Sequence, residues 1–217
     1  MLAFERQHWQ AGYVLLAGVD EAGRGPLAGT VVAAAVAIEA DLLERASEGF
    51  LLGLTDSKKL TERKREHFFA LLDEHPDILI GVGEASPHEI DHLNILRATH
   101  VAMARAVQAL PRLPDHVLVD GRPVSGLPCS STAIVGGDGR SILIAAASVV
   151  AKVTRDRQMV AIDKLYPAYG FARHKGYGSR MHMQALFEFG PTPVHRQSFR
   201  PVREAGAIRR KAADESQ

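Results

Sequence analysis

Short apolar runs closed by acidic residues or glycines alternate along this chain with longer segments whose apolar positions recur at helical spacing. The run Leu15 to Val19, closed by Asp20, suits a buried strand. After a glycine-rich turn comes Thr30 to Ile38, β-branched at several positions, a second strand. Asp77 to Glu84 predicts a third, His116 to Val119 a fourth that ends at Asp120, and Thr132 to Val135 a fifth, followed by Gly136, Gly137 and Asp138. Ser57 to His75 predicts a helix with Leu60, Phe68, Leu71 and Leu72 on one side and a basic face opposite. Pro87 to Leu110 predicts another, since Ile90, Leu93, Ile95, Leu96, Val101, Met103 and Val107 recur at near-helical spacing and Pro111 and Pro114 close it. Ser141 to Leu165 predicts a long helix and Ser179 to Phe189 a short one, joined by a Gly/Tyr/basic loop over Pro167 to Gly178. Beyond Pro191 the pattern is irregular, and the last dozen residues are expected to be mobile. Three strands in succession, then two alternating with helices, indicate an α/β fold with a mixed sheet.

Composition narrows the class. A chain of 217 residues suits one domain with an appendage, and 46% hydrophobic with 24% charged residues excludes wholesale disorder. No apolar run approaches the roughly 18 residues of a membrane span; the richest, Leu27 to Ile38, is broken by Gly29 and Thr30. Met1 to Gln10 mixes Glu5, Arg6, His8 and Trp9, unlike a signal peptide. The single cysteine, Cys129, excludes an internal disulfide and a cysteine-built zinc site, so a cytoplasmic location is the expectation. The net charge of +1 hides an asymmetry: residues 1–151 carry −6, residues 152–211 carry +9 and residues 212–217 carry −2. A basic block fits a polyanion partner or an ordinary solvated face, and charge alone does not separate them.

The chemistry lies where strands end. Asp20, Asp120 and Asp138 each follow an apolar strand, where sites gather in α/β sheets. An aspartate there also starts turns and caps helices. The adjacent Asp20 and Glu21 are harder to explain so, because two neighbouring carboxylates repel unless cations share them. Side chains alternate along a strand, so both reach one site only if the strand ends there. With Asp120 and Asp138 they make four oxygen ligands suited to Mg²⁺ or Mn²⁺, and paired cations of that kind clamp both oxygens in phosphodiester cleavage. Asp156 competes for the fourth place but sits within helical reach of Lys152 and Arg157.

Gly23-Arg24-Gly25-Pro26-Leu27-Ala28 formally fits a dinucleotide fingerprint. Pro26 and the β-rich run that follows do not make the required helix, and Asp20 and Glu21 would repel a pyrophosphate. A turn of small residues instead lets backbone approach a sugar hydroxyl. Arg173 to Gly178 places Tyr177 between glycines in a basic loop, a setting for stacking on a sugar or base as well as for a core tyrosine. Lys58, Lys59 and Lys152 suit phosphates or plain surface.

These residues together closely resemble bacterial ribonuclease HII. The matching segments are Gly18–Pro26, Asp56-Ser57-Lys58-Lys59-Leu60, Val119-Asp120-Gly121, Gly137-Asp138, Ala145–Arg157, His174-Lys175-Gly176-Tyr177-Gly178 and His195-Arg196-Gln197-Ser198-Phe199, in order over roughly residues 14–202. The resemblance implies an RNase H-like fold, a five-stranded mixed sheet flanked by helices with a small C-terminal helical part. It implies a catalytic core over 1–165, a substrate-binding subdomain over 166–204 and a tail over 205–217. It implies metal-dependent hydrolysis of the RNA strand of RNA–DNA hybrids and incision 5′ to single ribonucleotides in duplex DNA, leaving a 3′-OH and a 5′-phosphate. Asp20, Glu21, Asp120 and Asp138 are then the catalytic metal ligands for Mn²⁺ or Mg²⁺. Gly23, Arg24 and Gly25 contact the ribonucleotide 2′-OH, Tyr177 stacks on the next deoxyribose, and Lys58, Ser148 and Lys152 contact phosphates. No membrane partner is expected, a monomer is, and the tail from Ala205 shows no sliding-clamp motif.

Overall fold

The structure, a computed structural model, describes residues 1–214. Five strands form one mixed sheet in the order β3-β2-β1-β4-β5. They are β1 (Leu15–Ala22), β2 (Val31–Glu39), β3 (Leu79–Ala85), β4 (His116–Asp120) and β5 (Ser130–Ile134). The first three pair antiparallel, while β4 runs parallel to both β1 and β5. The mixed α/β sheet and all five strands match the sequence-based expectation.

Alternation along β1 assigns the two faces. Leu16 and its even-numbered neighbours face a cluster built on the long helix α6 (Ile142–Leu165), with α2 (Ala40–Glu48) and α3 (Glu62–Asp73) beside it. Leu15, Ala17 and Val19 face the other layer, which α5 (Ile95–Gln108) covers through Ala98, Ala102, Met103 and Ala106. Gly18 lies on the α6 side, where a Cβ would overlap the Leu143 carbonyl and the Ile144 amide. The absent side chain brings helix and strand into backbone contact and carries α6 toward the end of β1.

Several helices depart from expectation. Ser57 to Leu60 is a turn, and α3 starts only at Glu62, because the Thr61 hydroxyl caps it by accepting from the Lys64 amide. The helix expected over Pro87 to Leu110 is two, α4 (Pro87–Leu93) and α5. Asn94, at φ 69, breaks them and caps α5 by accepting from the Leu96 and Arg97 amides. The acidic and aromatic N-terminus forms α1 (Ala3–Gln10), whose buried Glu5 accepts from the Ser141 hydroxyl (2.6 Å) and the Leu143 amide (3.3 Å) at the start of α6. The Pro167–Gly178 segment contains single helical turns at Pro167–Tyr169 and α7 (Phe171–His174), before α8 (Arg180–Phe189). The chain past Pro191 is not irregular throughout, since α9 (Arg200–Asp214) buries Val202 and Ala205 against Leu27 and Leu186. The rest of the expected mobile end, residues 215–217, lies outside the described residues. No described helix is long and apolar enough to cross a membrane.

Candidate active site

The parallel register sets Val19 beside Val119, so Asp20 and Asp120 leave adjacent strands side by side. Asp138 follows β5 in the short turn Gly137–Gly139. The Gly137 amide donates to Asp120 Oδ1 (2.7 Å) and draws that turn over the end of β4. One carboxylate oxygen from each of Asp20, Asp120 and Asp138 lies within 4.8 Å of the others. Asp156 is elsewhere, paired with Lys152 at 2.6 Å.

The end of β1 differs from expectation. The strand does not end at Asp20 but continues to Ala22, so by alternation Glu21 leaves β1 on the opposite face from Asp20. Its carboxylate pairs with Arg24 at 3.2 Å and stands outside the three-aspartate group. It lines a pocket of about 440 Å³ together with Asp120, Met103 and Val124. The two neighbouring carboxylates thus approach the end of the sheet from opposite faces of one strand.

Proximity and burial make this a strained set of charges. Burial, then the charges of Glu21 and Asp120, holds Asp20 well above the ordinary carboxylate range. Burial, then Asp120 and Asp56, raises Asp138; burial raises Glu21 against the opposing pull of Arg24. Lys58 lies 4.0 Å from Asp138. Burial works against its charge, yet Asp20, Asp56, Asp138 and Asp120 keep its pKa above the usual lysine value. Oxygen-only donors crowded against burial and each other's charge fit a hard divalent cation.

The expected substrate residues converge on the same end. A cleft of about 210 Å³ is lined by Glu21, Gly23 to Gly25, Lys58, Ser148, Lys152 and Tyr177. The Ser148 hydroxyl donates to Ser57 (2.8 Å), and Arg65 fixes the Lys58 turn by donating to the Ser57 and Leu60 carbonyls. Tyr177 is exposed, with its backbone pinned. Its amide donates to the His174 carbonyl, and its carbonyl accepts from Ser179 N (2.7 Å) and His182 Nδ1 (2.9 Å). Gly176 packs directly on the strand-side turn: at φ 82, a Cβ there would lie 2.6 Å from the Ala28 carbonyl oxygen.

A buried histidine pair stands behind this loop. His182 Nε2 lies 3.1 Å from His195 Nε2, and His195 Nδ1 accepts from the Thr192 amide at 3.0 Å. With the Tyr177 carbonyl taking the Nδ1 proton of His182, both rings must be neutral to complete the chain. Burial, then the neighbouring His182, pushes His195 down to about 4.

Sequence reasoning assigned no role to Asp56, Arg155 or Arg196, although all three stand in the matched segments. Asp56 Oδ1 accepts from the Lys58 amide (2.9 Å). Arg155 donates to the Thr30 and Ala28 carbonyls (3.1 and 3.2 Å), and Arg196 is wholly buried beneath the glycine-rich turn. Only the turn-forming habit of Asp56 was readable in advance.

Comparison with known proteins agrees with this geometry. The sequence profile of the family described as Ribonuclease HII matches residues 17–202. The chain is 52% identical over 201 residues to the ribonuclease HII of Geobacter sulfurreducens, covering 93% of this chain and 89% of that protein. It is 50% identical to that of Aliivibrio fischeri, covering 91% of each. Among solved structures it resembles the ribonuclease H2 from Pyrococcus horikoshii OT3, with a TM-score of 0.77 at 28% identity, over 91% of this chain and 99% of that one.

Proposed function

The chain belongs to the ribonuclease HII family and is a ribonuclease, and from that premise we propose that it cuts RNA joined to DNA at the cleft beneath Tyr177. Its substrates are RNA–DNA hybrids and duplex DNA carrying single ribonucleotides, incised 5′ to the ribonucleotide to leave a 3′-OH and a 5′-phosphate. Carrying this reading is one observation: the three-aspartate cluster lies at the same end of the sheet as the glycine-rich turn and an exposed tyrosine.

Asp20, Asp120 and Asp138 would hold the divalent metal, Mn²⁺ or Mg²⁺, with Glu21 as the fourth carboxylate. A pair of such cations, when bound, supplies Lewis acidity at the phosphodiester oxygens and lowers the pKa of water. The chain's own groups do the positioning. Lys58 and Lys152 neutralise phosphate oxygens, and Ser148 lines the cleft beside them, its hydroxyl turning from Ser57 to a phosphate oxygen when substrate binds. Backbone groups of Gly23, Arg24 and Gly25 meet the 2′-OH, which offers one donor and one acceptor. The Tyr177 ring packs on the following sugar, where an added hydroxyl would be crowded or left unpaired.

Residues 1–165 act as the catalytic core and 166–204 as the substrate side, with the basic excess of the C-terminal quarter facing the duplex backbone. We place the protein in the cytoplasm as a monomer, serving ribonucleotide excision and primer removal. The test is cleavage mapping, with Mn²⁺ and with Mg²⁺, on duplex DNA bearing one ribonucleotide. A single cut on its 5′ side is the expected product. Cutting of all-DNA duplex at equal rate, or none of the ribonucleotide duplex, refutes the assignment.

A further inference from the structure

Arg196 is 0% exposed, and all five of its N–H donors end on main-chain carbonyls. Nε donates to Gly29 (3.0 Å), Nη1 to Arg24 (2.9 Å) and Pro26 (2.8 Å), and Nη2 to Gly23 (2.6 Å) and Thr30 (3.1 Å). A guanidinium has no further donors, and none of these partners is a carboxylate. An arginine spent this way does not serve charge pairing. Its fork is matched to the shape of one turn.

We propose that Arg196 is the positioning residue that aims the Gly23–Gly25 backbone at the ribonucleotide 2′-OH, an inference that rests on the role given to that turn above. Every peptide bond described is trans. In a trans peptide the carbonyl and the following amide point in opposite directions. Drawing the Gly23 and Arg24 carbonyls inward therefore turns the Arg24 and Gly25 amides outward, toward the cleft. Arg24 and Gly25 are the exposed residues of a turn whose other members, Gly23 and Pro26 to Gly29, are buried. The Leu27 amide, freed in the same way by the Pro26 carbonyl, is taken by the Gly176 carbonyl (2.8 Å). The Arg24 and Gly25 amides have no acceptor among the described residues. The main chain around Arg196 also ties the turn to the C-terminal segment, since the Arg196 amide donates to the Leu27 carbonyl and the Gly29 amide to the Val194 carbonyl. Lysine would keep the charge but offers three donors in a different shape, enough for at most three of the five carbonyls.

The test compares Asp120→Asn, which blocks cleavage, with Asp120→Asn/Arg196→Lys. Affinity is measured for duplex DNA with one ribonucleotide and for the same duplex in all-DNA form. Asp120→Asn should prefer the ribonucleotide duplex. Adding Arg196→Lys should cut that preference on the order of tenfold, the worth of one or two neutral hydrogen bonds, with all-DNA affinity within about twofold. Equal weakening on both duplexes, or a lowered Tm with the preference intact, makes Arg196 a purely structural residue and overturns the proposal. No preference in Asp120→Asn itself overturns the role of the turn, and the proposal with it. If the double variant does not fold, amide NMR on Asp120→Asn decides. The Arg24 and Gly25 resonances should shift with the ribonucleotide duplex and not with the all-DNA one, and unmoved resonances overturn the proposal.

Discussion

Replacing Tyr177 by alanine separates recognition from stability, because the structure bounds the two effects differently. The Tyr177 side chain is 50% exposed, and its hydroxyl has no hydrogen-bond partner among the described residues. A tyrosine carries roughly 200 Å² of surface, so about 100 Å² is out of water, worth at most ~2.5 kcal/mol at ~25 cal/mol per Å². That bound shrinks further because the unfolded chain also buries some of this area. The loop itself survives, since its contacts to His174, Ser179 and His182 run through the Tyr177 backbone. A domain of this size should lose at most several degrees in Tm and remain folded at 25 °C. Loss of a stacked contact costs about 1–3 kcal/mol, or roughly 10- to 100-fold in activity. Single-turnover cleavage of duplex DNA with one ribonucleotide should fall by that factor. Long RNA–DNA hybrids should suffer less, because no deoxyribose follows the cut there. Tyr177→Phe should keep most activity, given the unpartnered hydroxyl. Equal losses on both substrates for Tyr177→Ala would refute junction sensing and leave the ring a structural role.

Asp120→Asn should fold normally yet lose more than about 100-fold in turnover, beyond what residues behind a ligand typically contribute; wild-type turnover at saturating Mg²⁺ would remove Asp120 from the metal site. Gly18→Ala places a methyl on the α6 backbone, which cannot rotate aside, so stability should fall by about 1–3 kcal/mol or more and weaken metal affinity by shifting α6 off β1; unchanged urea midpoints would show that the helix moves freely. Burial and His182 push His195 down to about 4 in the folded protein, against about 6.5 for an ordinary histidine, so the unfolded chain binds the proton first. Its contribution is complete above about pH 6.5 and falls away toward pH 4, by roughly 3 kcal/mol at ~1.4 kcal/mol per unit. Urea titrations should show His195→Gln with a flatter slope across that window, and identical slopes would exclude the buried neutral pair.

The amino-acid pattern by itself determined the sheet. Runs of apolar residues ending in aspartate specify strands locally, and their order and the lengths between them admit few topologies, so Asp20, Asp120 and Asp138 were legible as a group. Where a helix begins or breaks was less legible, because Thr61 and Asn94 act through single side-chain caps inside patterns whose apolar spacing runs on regardless. Only the tertiary structure decided how neighbouring carboxylates divide. Strand alternation persists to Ala22, because β1 remains paired with β2 as far as Ala22 and Val32, and this sends Glu21 to the opposite face from Asp20. The supports of the site were equally hidden. Arg196 lies more than 160 residues from the carbonyls it holds, and nothing local distinguishes it from the exposed arginines of the basic C-terminal quarter. Its role exists because the C-terminal segment packs beneath the turn, where burial removes water and leaves five main-chain carbonyls for one guanidinium to satisfy.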